Sequence, residues 1–166
     1  MHDPGPHPTS ALPACSAATL RFLRPRDPQL ALGLAVDYLM RDAAFARQSF
    51  GAWARVLVGQ INRGHCLFVH DGRCLRGFVG WALTDDVQAD AWLAGRCDFD
   101  SAAGTAGPVL LVNALKCDGD GVRRLLLSSL RRLLPARRVV ARRLYPDGRS
   151  RPVDLRLRGA PPVFQP

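Results

Sequence analysis

Hydrophobic and polar positions alternate in two different periods along this chain, and the change of period marks out its elements. Over residues 29–46 the apolar positions recur at helical spacing: Leu30, Leu34, Tyr38 and Phe45, with Leu32, Val36 and Leu39 widening the stripe. This predicts one helix, started by Asp27 as N-cap and Pro28 in the first turn. A second helix is predicted over 50–61, with Trp53, Leu57 and Ile61 on one face and a stop at Asn62-Arg63-Gly64. The period then shortens. Residues 65–70 and 74–83, joined by Asp71-Gly72-Arg73, read as a β-hairpin. Gly77 and Gly80 inside its second strand predict a bulge or a close backbone approach.

Beyond the hairpin, Asp85, Asp86 and Asp90 read as an exposed turn in preference to a carboxylate cluster for acid–base work. Trp92 anchors a short segment, and 95–107 reads as an irregular loop. From Val109 a buried strand runs through Leu115, with Asn113 as its one polar residue, into the turn Asp118-Gly119-Asp120-Gly121. A helix follows from Val122 to Leu134, its apolar face Val122, Leu126, Leu127, Leu130, Leu133 and Leu134. Free backbone N–H groups at such a helix start attract anions, which makes this turn the expected place for chemistry. Two further strands, 138–145 and 152–157, flank Pro146-Asp147-Gly148. The expected fold class is α/β (α+β): a single mixed, largely antiparallel sheet flanked by helices. The expected organisation is a flexible tail over 1–28, one domain over 29–158 and a second tail over 159–166.

Composition narrows the function classes. The 166 residues are 48% hydrophobic, enough for one substantial core. Net charge is +9, carried almost wholly by arginine, since Lys116 is the one lysine. That balance favours an acidic partner, although a GC-rich coding bias produces the same arginine excess. The five cysteines, Cys15, Cys66, Cys74, Cys97 and Cys117, have no C-x-x-C spacing, so neither a metal site nor a disulfide framework is indicated. No signal-peptide pattern opens the sequence and no apolar run is long enough to span a bilayer. Cys66 beside His65 is no catalytic pair on spacing alone, because strand neighbours point to opposite faces.

Strand, glycine turn and helix after a hairpin resemble the fold of the GCN5-related N-acetyltransferases, in which that turn holds the pyrophosphate of coenzyme A. Here Asp118 and Asp120 would oppose a phosphate. A closer resemblance, over about 32–159, is to the RTX toxin-activating lysine acyltransferases. These bacterial cytosolic enzymes move a fatty acyl group from acyl carrier protein onto lysines of a protein toxin. The segments alike are Leu32-Gly33 with Tyr38-Leu39, the stretch from Phe45 to Arg47, Val79-Gly80-Trp81-Ala82, the strand running into Asp118-Gly119-Asp120 with the basic helix after it, and 153–159.

The resemblance implies a cytoplasmic GNAT-like acyltransferase, with acyl carrier protein in preference to acyl coenzyme A as donor. It implies no tightly bound cofactor and a toxin-like protein as acceptor, and it allows a homodimer. It puts the family's catalytic histidine at Ala46, beside the retained Arg47, and its partner aspartate at Asn113. Alanine can neither take a proton nor accept an acyl group, and no histidine lies between His7 and His65. The expected catalytic residues are therefore Asn113 and Arg47, and the expected donor-binding residues Gly119, Gly121, Arg123 and Arg124. Arg123, Arg124, Arg131, Arg132, Arg137 and Arg138 are expected to dock the acidic carrier. The alternative is an inactive relative that binds a carrier protein or toxin. Nucleic-acid binding through the same arginines ranks last, because no aromatic residue is interleaved with them.

Overall fold

The computed structural model describes residues 19–97, 106–134 and 138–156. Six strands form one sheet in chain order: β1 (Arg21–Leu23), β2 (Cys66–His70), β3 (Leu75–Thr84), β4 (Val109–Cys117), β5 (Arg138–Leu144) and β6 (Ser150–Arg156). All neighbours are antiparallel except β4 and β5, which run parallel. The expected mixed, largely antiparallel sheet flanked by helices is therefore the observed one. Because successive strand residues face opposite sides, the sheet buries two layers. Leu67, Val79, Trp81, Leu110 and Val112 pack under helix α5 (Asp120–Leu133), through its Val122, Leu126 and Leu130. On the other face Phe68, Phe78 and Ala114 meet α1 (Pro28–Met40) and α3 (Phe50–Asn62). Val109, Leu111 and Val140 are covered from α4 (Asp86–Leu93) by Ala89 and Trp92.

The helix expected over 29–46 is two helices. Asp27 caps the first as expected, accepting hydrogen bonds from the Gln29 and Leu30 N–H groups. Asp42 then takes extended backbone, and its carboxylate accepts from the Ala44 N–H at 2.8 Å, starting α2 (Ala43–Ala46) afresh. A side chain able to bond its own backbone competes with a continuing helix, and here it wins. Two more expectations are corrected. The stretch expected as a tail to residue 28 contains β1, which pairs Arg21, Phe22 and Leu23 with β2. Asp85, Asp86 and Asp90 are exposed as expected, but they begin a helix and not a turn: Asp85 caps α4 by accepting from the Gln88 N–H at 2.8 Å. The expected tails over 1–18 and 159–166 and the loop over 98–105 lie outside the described residues.

Gly77 and Gly80 carry both features expected of them. A Cβ on Gly77 would sit 2.5 Å from Val122 Cγ1, so α5 lies close against β3. At Gly80 the β3–β4 register shifts, the bulge that shapes the site described next.

Candidate functional site

Gly80 pairs with Ala114 and Trp81 with Val112, so Asn113 is the extra residue of the bulge on β4. Its Oδ1 is buried and has no hydrogen-bond partner among the described residues. At the same point the sheet forks. β4 and β5 pair from Val109 with Arg138 to Val112 with Ala141 and no further, although β4 continues to Cys117 and β5 to Leu144. Past Val112, the β4 edge that faced β5 has no strand partner among the described residues. Asn113 stands where the fork opens.

The fork leads to the turn before α5. Gly119, at φ +93°, takes a conformation that an L side chain rarely adopts, and α5 begins at the next residue. No side chain caps the N-terminus of α5, so its first N–H groups stay available. Both carboxylates at the turn have cationic partners. Asp120 pairs with Arg123 at 2.9 Å. Asp118 lies 3.7 Å from the Arg76 guanidinium, and its backbone N–H donates to Arg76 O at 2.7 Å. The Tyr38 hydroxyl, 2.7 Å from Arg76 O and 3.0 Å from Asp118 Oδ1, shares its one proton between them. Burial and the Asp118 carboxylate together push the Tyr38 hydroxyl above its ordinary pKa, so it keeps that proton and is no base at neutral pH. Lys116 Nζ donates to Tyr38 O at 2.7 Å and stands 4.4 Å from the ring centroid, fixing α1 against the end of β4.

The expected site residues separate into groups. Gly119, Gly121, Arg123 and Arg124 share the first turns of α5, with both arginines exposed. Asn113 lies one strand segment upstream, at the bulge. Arg47 is the exposed C-cap of α2, and no hydrogen bond or ion pair joins it to Asn113 among the described residues. Its charge instead reaches Asp147 in the β5–β6 turn. That carboxyl is lowered chiefly by hydrogen bonds from Arg149, with Arg47 as a smaller contributor. Ala46 lines a hollow of about 100 Å³ with Met40, Phe45, Phe50 and Trp53, a mostly apolar lining in which Gln48 is the one polar side chain and no titratable group stands among the described residues. The described histidines are elsewhere. His65 stacks on Trp81 at 5.8 Å, and burial with the nearby Arg63 charge lowers its pKa. His70 Nδ1 accepts from the Gly72 N–H in the hairpin turn.

Arg138 is no docking residue. Its guanidinium, nine-tenths buried, donates to Asp154 at 2.9 and 2.6 Å, to Asp86 at 2.7 Å and to Asp90 at 2.6 Å. It ties β5 to α4 and β6, and these bonds raise its pKa still further. Arg137 lies outside the described residues. Sequence reasoning passed over Gln60, which α3 buries completely against Gly80. The one available signal was a glutamine among the apolar positions Leu57, Val58 and Ile61. No group of three or more His, Cys, Asp or Glu is placed to hold a metal among the described residues. Nor is any helix among them long and apolar enough to cross a membrane. No protein-family model matches this chain, and no curated protein matches it.

Proposed function

We propose that the protein is a divergent acyltransferase with a GNAT-like fold, which takes a fatty acyl thioester from acyl carrier protein and passes it to a lysine amine of a toxin-like protein in the cytoplasm. The forked β4–β5 edge carries this reading. An acyl carrier presents its thioester on a pantetheine arm, an extended chain with two amide groups. An unpaired strand edge offers the N–H and C=O groups that such a chain needs, as in strand addition to an open sheet. The phosphate at the base of the arm suits the uncapped α5 N-terminus at Gly119 and Gly121, flanked by Arg123 and Arg124. The pairing of Asp118 and Asp120 with arginines answers the objection that these carboxylates repel a phosphate.

In this reading Asn113, at the mouth of the fork, donates a hydrogen bond from its amide to the thioester carbonyl. The amine nitrogen attacks the carbonyl carbon, a C–N bond forms, the C–S bond breaks, and the thiolate leaves with the carrier. Arg47 acts at a distance, as a cation on the acceptor side of the β5–β6 turn. No described side chain at the fork is placed as the base, so the amine arrives neutral, and the proton it sheds as the amide forms passes through water to the departing thiolate.

That same absence of a base favours a second reading, an inactive relative that binds a carrier or toxin. One experiment separates the two: intact-mass analysis of acyl-loaded carrier, and separately of acyl coenzyme A, incubated with the protein, alongside a binding titration of each. Binding with acyl loss from the carrier is the expected result. Binding without acyl loss, persisting when lysine-bearing acceptors are supplied, selects the binding module. No binding to either donor overturns acyl transfer and carrier binding alike.

A further inference from the structure

Helix α5 leaves one face of the last two strands open. It packs over β2, β3 and β4, and of β5 only Val139 and Ala141 reach its margin. Farther along that face, Arg143 stands directly opposite Arg151 in the antiparallel β5–β6 register. The Tyr145 N–H donates to Arg149 O at 3.0 Å, which carries the pairing one step past β5 and puts Tyr145 opposite Arg149. Alternate strand residues share a face, so these four side chains form a two-by-two platform at the hairpin tip. The Arg143 guanidinium lies 5.2 Å, and that of Arg149 5.9 Å, from the Tyr145 ring centroid. All three arginines are exposed, and Tyr145 is half-buried.

The chain supplies too little negative charge for this platform. Asp147, in the turn, is paired with Arg149 at 2.6 Å. Asp154 lies on the opposite face of β6, where Arg138 donates to it. Neither Arg143 nor Arg151 has a carboxylate partner among the described residues. Like charges placed directly opposite on a sheet are destabilising, and an anion from outside the chain is what offsets them here.

We infer that the platform binds single-stranded nucleic acid, with phosphates on Arg143, Arg149 and Arg151 and a base stacked on the arginine–tyrosine layer. Guanidinium donors meet phosphate oxygens two at a time and keep a flat face for a base. The ring within the cluster selects this partner over others of the same charge: an acidic peptide leaves it unused, and a paired duplex has no free base face to offer it. The arginines of α5 have no aromatic residue among them, which sets the hairpin apart from that helix. The inference does not rest on acyl transfer, because Asn113, Gly119 and Gly121 are not part of the platform.

The test is fluorescence anisotropy of a labelled octauridylate titrated with the full chain at low and moderate salt. Saturable binding that weakens as salt rises is expected. Arg143→Gln with Arg151→Gln should weaken it about tenfold, and Tyr145→Leu about fivefold. The same charge change in Arg21→Gln with Arg26→Gln, beside β1 at the opposite edge of the sheet, should weaken it less than about twofold. No saturable binding overturns the proposal. So does an equal loss from the two arginine pairs, or unchanged affinity in Tyr145→Leu, since either would mean that net charge alone attracts the strand. A glutamate peptide of equal charge, or a duplex of the same length, that competes as well as unlabelled octauridylate also overturns it, in favour of an acidic protein or of paired nucleic acid. If Tyr145→Leu does not fold, the exposed pair Arg143 and Arg151 decides, and unchanged affinity in their double variant overturns the proposal by itself.

Discussion

Gln60 fills the space that a side chain on Gly80 would claim: its Oε1 lies 2.1 Å, and its Cδ 2.7 Å, from where a Cβ would stand. The two residues are therefore coupled across the α3–β3 interface. Gly80→Ala should cost about 1–3 kcal/mol, because a fully buried glutamine has little room to swing aside. Gln60→Ala in the same background should recover part of that loss. Thermal unfolding of the two single variants and the double variant checks this, and simple additivity of the two effects would rule the coupling out.

The Gln60 amide is also a cost in its own right. Neither Oε1 nor Nε2 has a hydrogen-bond partner among the described residues, and the residue is completely buried. Gln60→Met keeps the length of the side chain and removes both unpartnered atoms. It should raise stability by about 1 kcal/mol in denaturant unfolding. Destabilisation of that size would mean that the amide is bonded in solution.

Tyr38 joins α1 to the turn before α5, and its proton should be visible in the pH dependence of stability. Burial and Asp118 raise its pKa in the folded chain, whereas an unfolded tyrosine ionises near pH 10. The stabilising contribution is thus complete below about pH 10 and declines as the pH rises beyond it. Tyr38→Phe should cost about 1 kcal/mol at neutral pH. It should also flatten the alkaline decline, so wild type and variant converge in urea midpoints measured above about pH 10.

Arg138 gives the opposite pH signature. Its hydrogen bonds hold the Asp154 carboxyl below the usual carboxylate range. A lowered folded value means stability that is present above the unfolded value, about pH 4, and lost as the pH falls through the folded one. Asp154→Asn should therefore trail wild type by a constant margin from about pH 5 to 8 and rejoin it in acid. Arg138→Met should cost about 2 kcal/mol. That is less than a fully buried ion pair loses, because the three aspartates remain partly exposed.

The elements with strong periodicity were legible in the sequence. β4, the glycine turn and α5 have the expected order, because a continuous apolar run and a helical leucine stripe report burial directly. β1 was not legible: it is three residues long, and with Arg21 and Phe22 both exposed and Leu23 half-buried it carries no period. The break at Asp42 was hidden because apolar spacing continues across it while a side-chain oxygen ends the helix. Asp86, Asp90 and Arg138 read as two exposed charge groups, because pairing across about fifty positions depends on the tertiary fold. The bulge at Asn113 was legible only from its partner strand, through Gly80.

Charge reversal on α5 tests how the proposed carrier docks. Arg123 and Arg124 lie in the first turns of the helix, beside Gly119, while Arg131 and Arg132 lie in its last turn. Eight residues of helix separate the pairs by about 12 Å. If the phosphate at the base of the pantetheine arm sits at the α5 N-terminus, the carrier surface around it covers the nearer pair first. Arg123→Glu with Arg124→Glu should then weaken carrier binding more than Arg131→Glu with Arg132→Glu. Both losses should shrink as salt rises, since exposed charges act through a screened field. Binding measured at two ionic strengths gives the answer. Equal affinity for both double variants and wild type at low salt would mean that α5 does not face the carrier.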